Sequence, residues 1–267
     1  MTLGKDDLVR GLRTLGVATG DGVFCHVALG QIGHVIGGPR GLIEALMSAV
    51  GPEGLIAMPG FSTDAYDPVE LLDMTVSEAD HARIRAQVPG FDPVLSNARS
   101  NGSVPEAFRH FPGVVRSLHP TSSVLLWGAN AATLAAPHDA HGWATGPDTP
   151  WGRLGGRARM KVLLIGVGWN RCSALHAAES RAKHRRTKTR HLKLAPDQGG
   201  AWIEAPDVAD DLGRLFPFVG AEWEATGNVR TGMLGGAECR VTDYGALVEF
   251  ASEWIDQRNA ADGVPTQ

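Results

Sequence analysis

His176 and Glu179 are the residues of this sequence best suited to moving a proton. They stand three apart in Ser173–Lys183, a segment that reads as a helix, so their side chains share one face. The helix follows the continuous apolar run Lys161–Ile165, which reads as a parallel strand buried on both faces. Ligands of open parallel sheets bind beyond the carboxyl ends of the strands, and this helix begins there. A carboxylate beside an imidazole stabilises the imidazolium, raises its basicity and fixes its tautomer. Such a pair suits a general base. The same spacing also suits an ion pair on a helix surface, and spacing alone leaves both readings open.

Other groupings carry less. The glycine-rich segment Gly30–Gly41 joins a strand to a helix start, where backbone N–H groups can approach an anionic ligand. It has neither GK[ST] nor GxGxxG, and a plain tight turn fits it as well. His138 and His141, with His26 or His34, could hold zinc, but no cysteine or acid completes a zinc motif. A zinc-dependent hydrolase is therefore a minor alternative. Cys25 and His26 are strand neighbours, so their side chains point to opposite faces and cannot act as a nucleophile–base pair. Residues 51–80 hold seven acids and no Lys or Arg. They form either a solvated loop or a rim that attracts a cationic ligand. The run Arg181–Arg190 carries six Lys/Arg. With 29 acids against 25 bases in the whole chain, it reads as a solvated face or a contact to a phosphorylated cofactor, not as a nucleic-acid patch.

The elements that position these residues follow from periodicity. Residues 1–19 read as an amphipathic helix on Leu8, Leu12 and Leu15. Val23–His26 is a strand, Leu42–Val50 a helix stopped by Gly51-Pro52, and Leu55–Met58 a second strand. This strand–loop–helix–strand unit points to a parallel sheet. Residues 61–100 read as irregular. Beyond them come a helix over Val104–His110, a strand over Ser123–Trp127 and a helix over Ala129–Ala136. Arg185–Leu194 and Ala201–Ala205 read as an antiparallel hairpin turning near Gly199-Gly200. Asp243–Trp254 is a terminal helix, and Asn259–Gln267 a frayed tail. In 267 residues with no evident linker, one domain spanning 1–267 is expected, with a small β subdomain at roughly 184–206. No apolar run approaches the ~18 residues of a membrane span. Charges occupy the place of a signal-peptide core, and three scattered cysteines give no disulfide framework. A cytoplasmic location follows as an expectation.

Several short stretches, in shared order, resemble the antibiotic N-acetyltransferase family, that of the aminoglycoside 3-N-acetyltransferases. They are His26-Val-Ala-Leu-Gly30 with Val35-Ile-Gly37-Gly38, then Gly41–Leu46, Met58–Ser62 and Pro89–Pro93. Arg116–Val124, Thr149–Leu154, Val162–Val167 and Ala174–Glu179 follow, so the resemblance spans roughly residues 5 to 255. It implies an α/β fold: a three-layer α/β/α sandwich on a mostly parallel mixed sheet with the small antiparallel β subdomain. It also implies transfer of an acetyl group from acetyl-CoA to an amine, with no metal.

By this resemblance His176 is the catalytic base and Glu179 its partner. The loop that holds the pantetheine and acyl end matches His26, Val27, Ala28, Leu29, Gly30, Gly33, Val35, Gly37 and Gly38. Thr149 matches a residue expected near the thioester; with backbone N–H groups near Ala28–Gly30 it would stabilise the oxyanion. Ser117 and His119 fall in a motif expected to shape the CoA site. Asp64 and Asp67 match the insert that receives a cationic sugar, and Trp169, Asn170 and Arg171 line the acceptor side. The implied acceptor is a polycationic small molecule, the 3-amino group of a 2-deoxystreptamine aminoglycoside; the implied assembly is a monomer or homodimer. The sequence departs from the pattern at two places. Val27 and Ala28 replace hydroxyl residues of the loop, and Trp169–Ser173 replaces His-Asp-x-Asn-Thr. The first removes a hydroxyl contact to CoA while backbone donors can survive; the second, on the acceptor side, admits a different amine metabolite as acceptor.

Overall fold

Runs of residues apolar on both faces form the centre of this molecule, a computed structural model in which residues 2–209 and 213–267 are described. In chain order come β1 (Thr2–Leu3), α1 (Lys5–Thr14), β2 (Gly22–Val27), α2 (Leu29–Ile32), β3 (His34–Val35), α3 (Gly38–Val50) and β4 (Leu55–Pro59). The middle of the chain adds α4 (Pro68–Leu71), α5 (Glu78–Gln87), α6 (Ser103–Phe108), β5 (Val115–Arg116), β6 (Val124–Gly128), α7 (Ala131–Ala135), α8 (Pro150–Gly155) and β7 (Met160–Ile165). The last part supplies α9 (Ala174–Arg181), β8 (Thr187–Lys193), β9 (Trp202–Val208), α10 (Phe216–Ala225), β10 (Arg230–Leu234), β11 (Ala237–Asp243) and α11 (Tyr244–Ala261).

The main sheet has seven strands in the order β10-β11-β7-β2-β4-β6-β5. β2 pairs in parallel with both β4 and β7, and the flanking pairings are antiparallel. Alternation along β2 explains the layers. Val23, Cys25 and Val27 join one core with Leu8, Leu12, Leu42, Leu46 and Phe108 from α1, α3 and α6. Phe24 joins the opposite core with Trp151, Leu175, Val219 and Leu247 from α8, α9, α10 and α11. Helices therefore cover both faces, giving the expected three-layer α/β/α arrangement around a mixed sheet. The expectation is a mostly parallel sheet, but only the two pairings of β2 are parallel and the other four are antiparallel, because the outer strands enter through hairpins and reversed connections. β8 and β9 form a separate antiparallel pair over 187–208, with Gly199 and Gly200 at positive φ in the turn.

Some elements differ from expectation. The segment 61–100 contains α4 and α5, but α5 buries no residue, so it leaves no apolar period to read. α11 continues to Ala261, with Asn259 buried, and the Gln267 N–H bonds the Lys183 carbonyl at 2.9 Å. The expected frayed tail is thus tied down. The β10–β11 hairpin and α10 escape the sequence reading. β11 is only half apolar, and α10 carries Pro217 and Gly220 inside it.

Candidate active site

Three parallel strands end side by side, and the largest opening near His176 lies at those ends. His26 and Val27 come from β2, Pro59 and Phe61 from the end of β4, and Val167 from beyond β7. With His176 and Phe216 they wall a cavity of about 470 Å³. A smaller recess of about 110 Å³, between Tyr66, Thr145, Arg190 and Asp207, shares His176 and Phe61 with it. Open parallel sheets place their ligands at this end.

The dyad is formed. His176 Nδ1 lies 2.8 Å from Glu179 Oε2, one helical turn along α9. An ionised carboxylate can only accept, so Nδ1 carries the proton and the neutral ring keeps its lone pair on Nε2. Glu179 is buried, and the ring is held edge-on between Phe61 and Phe216, at centroid distances of 6.2 and 5.0 Å. The Thr145 hydroxyl donates to the His176 carbonyl at 3.0 Å and contacts Ser180 Oγ at 2.6 Å, which fixes the backbone of the same turn.

His26 lines the large cavity and accepts the Ser173 N–H at its Nε2, 3.2 Å away. Burial, reinforced by the charge of nearby His176, pushes its pKa down to about 3. Cys25, one residue earlier, faces the opposite core, as strand alternation requires, and burial pushes its thiol far up. Val27 also lines the cavity. Ala28 donates its N–H to the Ile165 carbonyl at 2.9 Å. Leu29 and Gly30 lie in α2, and Gly33 has φ of 104° in the turn behind it. Val35 is buried in β3, while Gly37 and Gly38, both at positive φ, open α3.

The remaining expected residues divide. Asn170 and Arg171 line the cavity. Trp169 turns away: its Nε1 donates to Glu224 Oε1 at 2.6 Å, and its ring packs against Gly220. Asp67 is buried, caps α4 through the Val69 N–H, and contacts His81 Nε2 at 2.7 Å and Arg85 at 3.3 Å. Burial alone would raise its pKa, but these hydrogen bonds and charges outweigh it and lower it. Asp64 lies in a groove beyond Tyr66 with Arg83, outside both cavities that His176 lines. The Thr149 hydroxyl donates to the Gly146 carbonyl at 2.7 Å, and Thr149 lines neither cavity.

Ser117 and His119 are buried with His138. Ser117 Oγ donates to His138 Nδ1 at 2.8 Å, and His138 Nε2 donates to the Ala144 carbonyl at 2.8 Å. Both ring nitrogens of His138 are thus in use, and His141 is exposed beside Asp139. Among the described residues no group of three His, Cys, Asp or Glu could hold a metal ion, so the zinc alternative loses its ligands. His119 Nδ1 accepts the N–H groups of Thr121 and Ser122, the two residues that floor the recess. The basic run is largely spent on local contacts. Arg185 stacks on Trp143, Arg186 pairs with Asp262, and Arg190 pairs with Asp207.

Sequence reasoning misses Phe61, Ser100–Gly102, Thr145, Asp207 and Phe216 as wall residues. Phe61 had a signal, since it directly follows a parallel strand; the others come from irregular segments or unread elements.

The family model described as aminoglycoside 3-N-acetyltransferase matches residues 24–256. Aminoglycoside N(3)-acetyltransferase VIII of Streptomyces fradiae is 37% identical, over 94% of this chain and 91% of that protein. Among solved structures, YokD from Bacillus subtilis superposes with a TM-score of 0.91 at 30% identity, covering 97% of this chain and 96% of that one. AAC-IIIb, solved as a binary complex with CoASH, gives 0.86 at 29% identity, covering 97% and 98%. A parallel-strand cavity whose wall holds His176, paired with Glu179 behind it, thus sits in a chain that, by sequence and by fold, belongs to the aminoglycoside 3-N-acetyltransferase family and is an acyltransferase.

Proposed function

We propose that the protein transfers the acetyl group of acetyl-CoA to an amine, with His176 as general base and Glu179 as the group that orients it. The contact between His176 Nδ1 and Glu179 Oε2, with the His176 ring in the wall of the strand-end cavity, carries this reading. The cavity suits a thioester arm, because Val27, Pro59, Phe61, Pro105, Val167 and Phe216 give it apolar walls. In the reaction the amine nitrogen bonds to the thioester carbonyl carbon while His176 Nε2 takes a proton from it. The carbonyl oxygen carries the negative charge until the C–S bond breaks. CoA leaves as a thiolate, and the proton held by His176 returns to sulfur. General-base assistance of this kind is worth about 10²–10⁴-fold.

Relatives named aminoglycoside N(3)-acetyltransferase support an aminoglycoside as the acceptor, which we propose is acetylated on the 3-amino group of its 2-deoxystreptamine ring. A second acceptor, a different amine metabolite, is favoured by one observation. Among the described residues, the two cavities that His176 lines hold a single carboxylate, Asp207, and it is paired with Arg190. Asp67, expected to receive ammonium groups, is instead sealed by His81 and Arg85.

Thiol release from acetyl-CoA in the presence of a panel of 2-deoxystreptamine aminoglycosides and simple amines tests both. The expected result is turnover that falls by 10² or more in His176→Ala while acetyl-CoA binding is kept. Near-parental turnover in His176→Ala would remove the assignment of the base. Turnover of simple amines but of no aminoglycoside would select the second acceptor.

A further inference from the structure

We propose that the side chain of His26 donates a hydrogen bond from Nδ1–H to the carbonyl oxygen of the acetyl thioester and holds the negative charge that develops there. The proposal deepens the reading that His176 acts as base in the same cavity.

Hydrogen-bond bookkeeping fixes the tautomer. The Ser173 backbone N–H can only donate, and it points at His26 Nε2 from 3.2 Å. Nε2 is therefore an acceptor and bears no proton. The proton of the neutral ring sits on Nδ1. No described residue accepts from that atom, and it is not among the buried polar atoms sealed without a partner. The ring itself forms part of the cavity wall shared with His176, at the carboxyl end of β2. An edge contact with Phe24, at 5.0 Å between centroids, and the Ser173 bond hold its plane.

Two of the other donors expected for this role are engaged. The Ala28 N–H bonds the Ile165 carbonyl, and the Thr149 hydroxyl bonds the Gly146 carbonyl. A neutral imidazole kept unprotonated by its surroundings is a competent carbonyl polariser. His26 meets that condition, since burial pushes its pKa down to about 3 and keeps it uncharged near neutral pH. Its neutrality also matters to His176: a second cation in this wall would oppose the imidazolium that forms when the amine adds. In the proposed step the nitrogen–carbon bond forms, the amine proton passes to His176, and the oxygen takes the electron pair under the His26 N–H. Loss of the CoA thiolate then returns the pair to the carbonyl, and the proton on His176 goes to sulfur.

Isotope-edited infrared spectra of [1-¹³C]acetyl-CoA bound to the protein test the contact without any acceptor. The thioester C=O stretch is expected at lower frequency when bound than when free. It should return most of the way in His26→Phe, which keeps a planar ring but no donor, and shift again in His26→Asn, whose amide can donate from a similar position. An identical stretch in parent and His26→Phe, with both binding acetyl-CoA, would overturn the proposal. With the amine turned over fastest and acetyl-CoA saturating, kcat should fall about 10²–10³-fold in His26→Phe and recover in part in His26→Asn. Equal kcat in parent and His26→Phe would also overturn it. Should His26→Phe fail to fold, ¹⁵N spectra of the parent's histidine rings decide. A proton on His26 Nε2, or a ring that charges near neutral pH, sinks the proposal. The two readings fail separately: an active His176→Ala removes the base but leaves the infrared shift.

Discussion

Glu179 decides which nitrogen of His176 carries the proton, and so which one would serve as the proposed base. By accepting from Nδ1 it leaves the basic lone pair on Nε2, and its charge offsets the imidazolium. Glu179→Gln keeps the shape but not the charge. We expect kcat to fall about tenfold or more, within the 10²–10⁴-fold that the base supplies, with acetyl-CoA affinity unchanged in a direct binding measurement. An unchanged kcat would reduce the pair to a helix ion pair. The His–Glu pair was legible because helix geometry converts a three-residue spacing into contact. The roles of Asp64 and Asp67 were not. Counting acids over 51–80 shows charge but not its partners, and the groups that neutralise Asp67 come from α5, a helix with no apolar signature.

At the level of elements, one wall of the cavity, the proposed acceptor side, depends on a contact between α10 and the segment Trp169–Arg171. Gly220 gives the indole room: a Cβ there would lie 2.0 Å from Trp169 Cγ. Gly220→Ala therefore forces α10 or the indole to move. Overpacking of this kind costs about 1–3 kcal/mol, and each kcal/mol lowers Tm by roughly 2–4 °C in a chain of this size. Because Asn170 and Arg171 follow the indole into the cavity wall, the KM for the acceptor should rise as well. A melting curve and KM equal to the parent's would show that the contact is soft. Central strands and their helices were legible from continuous or periodic apolar runs. α10 was not, since Pro217 and Gly220 break the pattern that tertiary contact with Trp169 restores.

Across the whole molecule, three buried histidines are held neutral. Burial pushes His26 to about 3 and His138 to about 4, and it holds His119 well below the usual range. Each is depressed in the folded state, so the unfolded chain binds more protons below the ordinary histidine pKa of about 6.5. Their contribution to stability is complete above that value and is lost as pH falls from about 6.5 towards 4. Each contributes a slope on the order of 1.4 kcal/mol per pH unit in that window. Asp21 and Asp67, whose pKa values are lowered, begin to act only below about pH 4, so the two groups separate. Urea unfolding at pH 7 and pH 5 should show a large drop at pH 5; equal stabilities would contradict the neutral cluster. The sheet order has a further consequence, for synthesis. β2 is buried along its whole length and pairs with β7 from Gly22 against Met160 to Val27 against Ile165. At about 5–20 residues per second, a ribosome takes on the order of ten seconds to deliver that partner. Until then the nascent chain presents an apolar strand with an open edge, a template for aggregation. Soluble yield in a cell should therefore improve when the folding chain is kept cool and dilute during this interval.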